Sequence, residues 1–263
     1  TGSGLGCPTW PECTPGSYTP VPHQAEGQLH AWIEFGNRLL TFALLFSALI
    51  AVIYVLKSGR KDLRSLAAGQ VLGIFGQGVL GGITVLTHLH PLPVAGHLLL
   101  SMLLIAGAAA LYSRRYEPLF KTAAPTKTIS VISRLHIVTA FVVLILGTLV
   151  TGSGPHAGDE KARRFTFDIQ TVAWLHADAV IFLMGLTVAF LVTASLGKST
   201  KKAIYIFLAV ALAQGAIGYT QYFTGIPEAL VAAHLAGATI FWIAAWRIRL
   251  SVVRRSHKER DQL

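Results

Sequence analysis

Residues 77–97 read QGVLGGITVLTHLHPLPVAGH, and residues 214–234 read QGAIGYTQYFTGIPEALVAAH. Four residues of the first stretch recur 137 positions later in the second: Gln77, Gly78, Gly81 and His97 return as Gln214, Gly215, Gly218 and His234. Each stretch ends in a histidine just inside a long apolar segment. The spacing predicts a duplicated membrane bundle with an imidazole at one matched depth. Because an ionisable ring in hydrocarbon is costly, its repetition indicates a ligand or proton site.

The composition places most of the chain in a membrane. Of 263 residues, 53% are hydrophobic and 13% charged, with a mean hydropathy of +0.57, which exceeds what a soluble core needs. Seven segments have about 20 residues or more, the length that roughly 30 Å of hydrocarbon requires. Since backbone polar groups in lipid must be satisfied within the segment, we expect an all-α polytopic membrane protein. The expected helices are 30–56, 66–86, 93–112, 129–151, 171–196, 203–223 and 227–248.

The net charge of +10 is a signal of topology and does not indicate nucleic-acid binding. Of 22 Lys and Arg, 18 lie in or beside the stretches 57–64, 114–134, 198–202 and 247–260. Two expected helices separate each stretch from the next, so all four fall on one side, which the positive-inside rule makes cytoplasmic. Residues 1–31 contain no Lys or Arg. We therefore predict a multi-pass protein of the bacterial plasma membrane, with residues 1–31 outside and the carboxyl terminus in the cytoplasm.

The repeat also predicts the domain organisation. An amino-terminal half at 1–112 and a carboxyl-terminal half at 129–263 are joined by a cytoplasmic linker at 113–128. The tetrapeptide TGSG at 1–4 returns at 151–154, at the outer end of the fourth expected helix. By symmetry a further helix should precede residue 1, so we expect two pseudo-symmetric four-helix bundles, the first lacking its first helix in this sequence.

Four expected helices carry polar side chains near their outer ends. Counted from each helix start at about 1.5 Å per residue, these groups lie roughly 6–11 Å into the outer leaflet. A common depth is what a shared site requires. The residues are Glu34, Asn37 and Arg38, then His97, then His176 and Asp178, then His234.

The histidines allow several interpretations. A single buried histidine is commonly bonded to a neighbouring helix, and Glu34 or Asp178 could exchange protons with the imidazoles. Zinc is disfavoured, since no thiolate or carboxylate cluster accompanies them. Three histidines at one depth, two of them in register across a repeat, favour haem held by two imidazoles within a four-helix half. The ring nitrogens of His176 and His234 should then lie about 4 Å apart.

Glycines crowd the second expected helix at positions 73, 76, 78, 81 and 82, and its repeat at 215 and 218. Small residues let helices approach closely, and this is the default interpretation. They could equally make room for a flat macrocycle.

The cysteine pair leaves two interpretations open. Cys7 and Cys13 are the only cysteines and both lie in the outer segment. With five residues between them on the oxidising side, they can form a small-loop disulfide. That disulfide could be a structural staple or take part in redox exchange.

The cysteine loop and the histidine helices together resemble the haem A synthase family, in its CtaA type and actinobacterial-like form. The resemblance covers the whole chain, and the cysteine loop combined with the histidine helices is highly specific. It rests on Thr1-Gly2-Ser3-Gly4-Leu5-Gly6-Cys7, Trp10, Pro11 and Cys13, then the Glu34 helix, His97, His176 and His234.

The resemblance implies eight helices in two halves and an oxidoreductase that converts haem O to haem A by oxidising a ring methyl to a formyl group. His176 and His234 match the axial ligands of a resident haem b, and His97 matches a ligand of the substrate haem O. Glu34 matches a glutamate implicated in the reaction. Cys7 and Cys13 match a pair thought to join in electron or haem transfer.

The resemblance further implies partners: haem O synthase as donor of the substrate and cytochrome oxidase as acceptor of the product. An electron donor is required but not identified by the sequence, and association into a homo-oligomer is left open. The lipid bilayer surrounds the helices.

One position departs from the family. Where the family usually has histidine three residues after the glutamate, this chain has Asn37, followed by Arg38. Asparagine cannot replace imidazole as a strong iron ligand. We therefore expect His97 alone to hold the substrate iron, leaving an open position suited to oxygen activation.

Two other functions remain in view. A di-haem cytochrome b that transfers electrons from quinol would use the same histidines, but Asn37 argues against a second six-coordinate haem. A transporter or receptor without a cofactor would use the polar groups as a relay or a ligand pocket.

Overall fold

The structure is a computed structural model that describes residues 5–22, 27–115, 125–155, 162–193 and 195–258. Residues 1–4 and 116–124 lie outside the described residues. The second of these ranges makes up most of the expected linker. Within those ranges the chain forms no strand, and a single isolated β-bridge joins Thr14 to Ser17.

Seven long helices dominate the described chain, each long and apolar enough to cross a membrane. The prediction of an all-α polytopic membrane protein is therefore confirmed. A short 3₁₀ turn, Lys61–Leu63, precedes the second helix. The helices are α1 (Gln28–Lys57), α2 (Arg64–Leu86), α3 (Pro91–Arg114), α4 (Lys127–Ser153), α5 (Ile169–Thr193), α6 (Lys198–Phe223) and α7 (Glu228–Lys258).

The helix ends differ from the expected spans mainly at basic segments. Helix α6 begins at Lys198, five residues before the expected start at 203, and α7 continues to Lys258, beyond the expected end at 248. The expected spans were bounded by hydrophobicity, whereas lysine and arginine are good helix formers that prolong a helix outside the apolar segment.

The chain divides into two compact units. The first comprises Thr1–Leu111 with Thr148–Ile169, and the second comprises Tyr112–Gly147 with Gln170–Leu263. The first unit therefore contains α1, α2, all but the last turn of α3, and the last residues of α4. The second contains most of α4 together with α5, α6 and α7.

In the first unit, glycines let α2 approach α3. A Cβ built on Gly73 would lie 2.4 Å from Leu104 Cδ2, and one on Gly76 would lie 3.2 Å from Leu100 Cδ2. The first distance leaves no room for a side chain and the second is tighter than an ordinary contact, so α2 and α3 pack closely at these two positions. Helix α1 packs against α2.

In the second unit, His136 of α4 belongs to the buried core. Its Nε2 lies 3.1 Å from Thr187 Oγ1 of α5, and that hydroxyl donates its own hydrogen to the Leu183 carbonyl. Nε2 of His136 must therefore be the donor. The imidazole edge contacts Phe207 of α6, whose ring contacts Phe241 of α7. His136 thus joins helices in the core.

Removing the Phe207 ring should destabilise the second unit. The side chain is fully buried, so we expect Phe207→Ala to leave a cavity and lower the free energy of unfolding by on the order of 3 kcal/mol. Thermal unfolding of the purified protein in detergent measures the effect. The matched control is Leu212→Ala on the same helix, where the side chain is 65% exposed. An equal loss in both variants would contradict this core.

Candidate functional site

The repeated glycine and histidine make the same contact in each unit. A Cβ built on Gly81 of α2 would lie 3.8 Å from Cε1 of His97 on α3. A Cβ on Gly218 of α6 would lie 3.3 Å from Cε1 of His234 on α7. The 137-residue displacement therefore corresponds to one local arrangement, in which a glycine lets an imidazole lie against the neighbouring helix.

His176 is positioned by α4. Its Nδ1 lies 3.1 Å from the Val143 carbonyl oxygen, and a carbonyl only accepts, so Nδ1 carries the hydrogen and Nε2 keeps a free lone pair. A Cβ on Gly147, one turn further along α4, would lie 3.3 Å from Cε1 of His176. Such a hydrogen bond to the second ring nitrogen is usual for metal-ligating histidines.

His176 and His234 face each other across the second unit. Their ring centroids are 6.4 Å apart and their planes make an angle of 78°. Two imidazoles on opposite sides of one metal ion would have centroids about 6.3 Å apart, from bonds of about 2.0 Å and about 1.15 Å from each nitrogen to its centroid. The separation therefore suits one metal atom between the rings.

Other features near the histidines leave room for a bound group. A Cβ built on Gly78 or on Gly215, one turn from Gly81 and Gly218 on the same helix faces, meets no atom within 4 Å. Nδ1 of His97 and Nδ1 of His234 are buried without a hydrogen-bond partner in the described part of the chain. In the second unit, the space at Gly215 and the unpartnered Nδ1 of His234 are compatible with a group bound between His176 and His234. Among the described residues, no group of three or more His, Cys, Asp or Glu could hold a metal ion by itself.

Gln77 holds the turn of α3 that carries His97. Its Nε2 donates to the His97 carbonyl at 3.0 Å and to Ser101 Oγ at 2.7 Å. The Ser101 hydroxyl also donates to the His97 carbonyl, at 3.0 Å. The backbone at His97 is therefore attached to α2 as well as to its own helix.

Glu34 and Arg38 of α1 bind the segment that contains both cysteines, residues 5–22, called here the cysteine loop. Glu34 Oε1 pairs with Arg38 Nη2 at 2.8 Å, and Glu34 Oε2 accepts the Cys7 N–H at 2.9 Å. The Arg38 guanidinium also donates to four loop carbonyls, at 2.9–3.1 Å. These belong to Cys7, Thr9, Pro11 and Glu12.

The cysteine loop is closed and lies against two helices. The Cys7 and Cys13 sulfurs are bonded at 2.09 Å, and neither residue is exposed to solvent. A Cβ on Gly82 of α2 would lie 2.8 Å from the ring of Trp10. Since Gly82 follows Gly81, the loop reaches from Glu34 on α1 to the helix face beside His97.

Two candidate residues lie away from these contacts. Asn37 is exposed, and in the described chain no hydrogen bond to its side chain is seen. Asp178 is also exposed, on a different face of α5 from His176. The structure therefore brings Glu34 together with the cysteine loop and His176 together with His234, and it leaves Asn37 and Asp178 outside both groups.

Arg164, in the segment after α4, has a capping role. It donates from Nε to the Gly154 carbonyl at 2.7 Å and from Nη2 to the Thr151 carbonyl. These carbonyls belong to the end of α4, where backbone acceptors lack partners within the helix. Partial burial lowers the pKa of the Arg164 guanidinium.

Sequence reasoning missed several of these contacts. The contacts of Gly147 and Val143 with His176 could not be predicted from the repeat, because neither residue belongs to the 137-residue pattern. Arg38 was visible only as a neighbour of Glu34, and its binding of the loop has no local signature. The turns offered a signal that was overlooked: Thr87 and Thr224 are also 137 residues apart, and each donates its hydroxyl hydrogen to the carbonyl four residues earlier.

Comparison with known proteins returned one family. The family described as Cytochrome oxidase assembly protein (COX15-CtaA) matches residues 1–245. No curated protein and no solved structure matches the chain.

Seating of the cysteine loop should depend on Gly6. A Cβ at this position would lie 2.5 Å from the backbone carbon and oxygen of His30, and backbone cannot move aside as a side chain can. We expect Gly6→Ala to displace the loop and speed hydrogen exchange of the Cys7 amide by at least about tenfold. Exchange followed by mass spectrometry measures this. Gly36→Ala is the control, since its Cβ meets nothing within 4 Å; equal exchange in both variants would contradict the seating.

Proposed function

Because the chain belongs to the cytochrome oxidase assembly protein family COX15-CtaA, the haem A synthase family, we propose that it is an oxidoreductase that converts haem O to haem A. The reaction oxidises a ring methyl to a formyl group, and the product would be passed to cytochrome oxidase. Haem O synthase would supply the substrate. The reaction would also draw on an electron donor.

The observation that carries the proposal is the separation of 6.4 Å between the ring centroids of His176 and His234. These two residues would hold the iron of a resident haem b. When bound, haem supplies an iron atom that exchanges single electrons. The protein's part is to orient the two imidazoles, which the Val143 carbonyl does for His176 and the close approach of Gly218 does for His234.

We assign His97 as the protein ligand of the substrate, haem O. Gln77 fixes the backbone of His97 by a hydrogen bond to its carbonyl, and the imidazole ring lies against Gly81. The open space at Gly78 would leave room for the edge of a macrocycle. Asn37 is exposed and is a weak ligand for iron. A substrate held through His97 alone would leave an open position at its iron, which suits oxygen activation.

Glu34 is proposed as the proton-transferring residue of this site. Oxidation of the methyl group by oxygen and an electron donor takes up protons as oxygen is reduced to water, so a nearby residue that gives or accepts protons is required. Its carboxylate lies at the junction of α1 and the cysteine loop, with Oε1 bonded to Arg38 and Oε2 to the Cys7 N–H. The cysteine loop covers this carboxylate. The site would face the outer side of the plasma membrane, with the basic carboxyl-terminal segment in the cytoplasm.

The His176–His234 pair alone would also serve a cytochrome b that only transfers electrons. Such a protein would carry two haems with two protein ligands each and would form no haem product. Asn37 disfavours such a protein, because it stands where the family usually has the second histidine.

Loss of either proposed haem b ligand should remove the resident haem. We expect His176→Ala and His234→Ala, purified from haem-replete cells, to lose at least about nine-tenths of the low-spin haem absorption, because one imidazole cannot maintain six-coordinate iron. His88→Ala, at an exposed position in the α2–α3 turn, is the control. Retention of the full low-spin band in both ligand variants would exclude this pair.

The activity is tested by co-expressing the full-length protein with haem O synthase and identifying the extracted haems by mass spectrometry. The wild type should yield haem A. His97→Ala should reduce haem A at least about tenfold, since the substrate loses its ligand, while the haem b absorption of the second unit persists. Accumulation of haem O alone with the wild type would reject the proposal, and two low-spin haems without product would favour the cytochrome b.

A further inference from the structure

Arg38 has more hydrogen bonds than its pairing with Glu34 requires. Its guanidinium is bound to four backbone carbonyls of the cysteine loop in addition to the carboxylate, and its side chain is only 20% exposed. Arginine presents five N–H donors in a planar fork, whereas lysine presents three on one nitrogen. Only a fork-shaped donor can serve carbonyls spread from Cys7 to Glu12.

The loop that Arg38 binds encloses the disulfide completely. Cys7 and Cys13 are both 0% exposed. The backbone of Gly6 lies against that of His30 on one side, and the Trp10 ring lies against Gly82 on the other. Reduction of a disulfide requires a thiolate to reach one of the sulfurs, and the seated loop offers no such approach.

We propose that Arg38 is the positioning residue that seats the cysteine loop on α1, so that the Cys7–Cys13 disulfide reacts with external thiols only when the loop lifts. The same movement would release Glu34, because its Oε2 accepts the Cys7 N–H and its Oε1 is bound to the arginine that binds the loop. Disulfide access and the freedom of this carboxylate are therefore one event. The role of Glu34 in that event rests on the proposed function; the seating itself does not.

The reductant in this exchange is a dithiol outside the membrane. Its first thiolate attacks one cysteine sulfur, the disulfide breaks, and the second cysteine leaves as a thiolate that takes up a proton. The second thiol of the reductant then resolves the mixed disulfide and becomes oxidised with the first. Two electrons and two protons pass from the dithiol to the cysteines.

The rate of reduction tests the proposal directly. The purified full chain in lipid nanodiscs is exposed to dithiothreitol, quenched at intervals and labelled with a maleimide–polyethylene glycol. The label reports only on Cys7 and Cys13, because the chain has two cysteines. The denatured protein gives the rate of an unprotected disulfide. We expect the wild type to react far more slowly than that reference, and Arg38→Gln to react at least about tenfold faster than the wild type.

Arg164→Gln is the matched control. Arg164 also donates to backbone carbonyls, but to those at the end of α4, so its loss should leave the rate of reduction at the wild-type value even if the unfolding temperature falls. Arg38→Lys keeps the charge without the fork and should react at a rate between those of the wild type and Arg38→Gln.

A wild-type rate equal to that of the denatured protein would overturn the proposal, as would an unchanged rate in Arg38→Gln or equal acceleration in Arg164→Gln. If Arg38→Gln does not fold, Arg38→Lys and Glu34→Gln decide. Glu34→Gln keeps an acceptor for the Cys7 N–H but removes the ion pair, so it should accelerate reduction a few-fold, and no change in either variant would overturn the proposal. Because this assay needs no haem, its outcome is independent of whether haem A is formed.

Discussion

The close approach of a glycine backbone to an imidazole ring is the contact on which both sites depend. Gly81 faces His97, and Gly218 faces His234. An imidazole inside an apolar segment is costly unless it is enclosed by protein. The neighbouring helix must therefore contact the ring without displacing it. A glycine on the adjacent helix meets this need by presenting backbone alone. The approach is tight at Gly218, where an added Cβ would press on the ring, and is an ordinary contact at Gly81.

The two units use this contact for different ends. In the second unit a further histidine, His176, completes a facing pair, and the Val143 carbonyl orients its ring. In the first unit the corresponding residue is Asn37, which is exposed. The first unit instead has Glu34, Arg38 and the cysteine loop. The second unit thus has a facing pair of histidines, whereas the first has His97 together with Glu34 bound to the cysteine loop. This asymmetry fits the proposal of a resident cofactor in one unit and a substrate in the other.

The cysteine loop connects parts of the first unit that the sequence separates. Arg38 binds it to α1, and Trp10 places it against α2 beside the glycine that faces His97. An irregular segment has many backbone carbonyls without partners, and a guanidinium can satisfy several at once. The loop is therefore a structured part of the site. Its counterpart after α4 is attached by Arg164 in a comparable way, through carbonyls at a helix end.

The sequence by itself determined the seven helices, their membrane length and the matched glycine and histidine positions, because apolar length and a fixed repeat are properties of local order along the chain. It also indicated Glu34, Cys7 and Cys13, by resemblance and spacing. The contacts between Gly147 and His176, between Trp10 and Gly82, and between Arg38 and four loop carbonyls were decided only by the tertiary structure. They join residues far apart in sequence or depend on backbone atoms, which are alike at every position. No residue pattern can therefore predict these contacts.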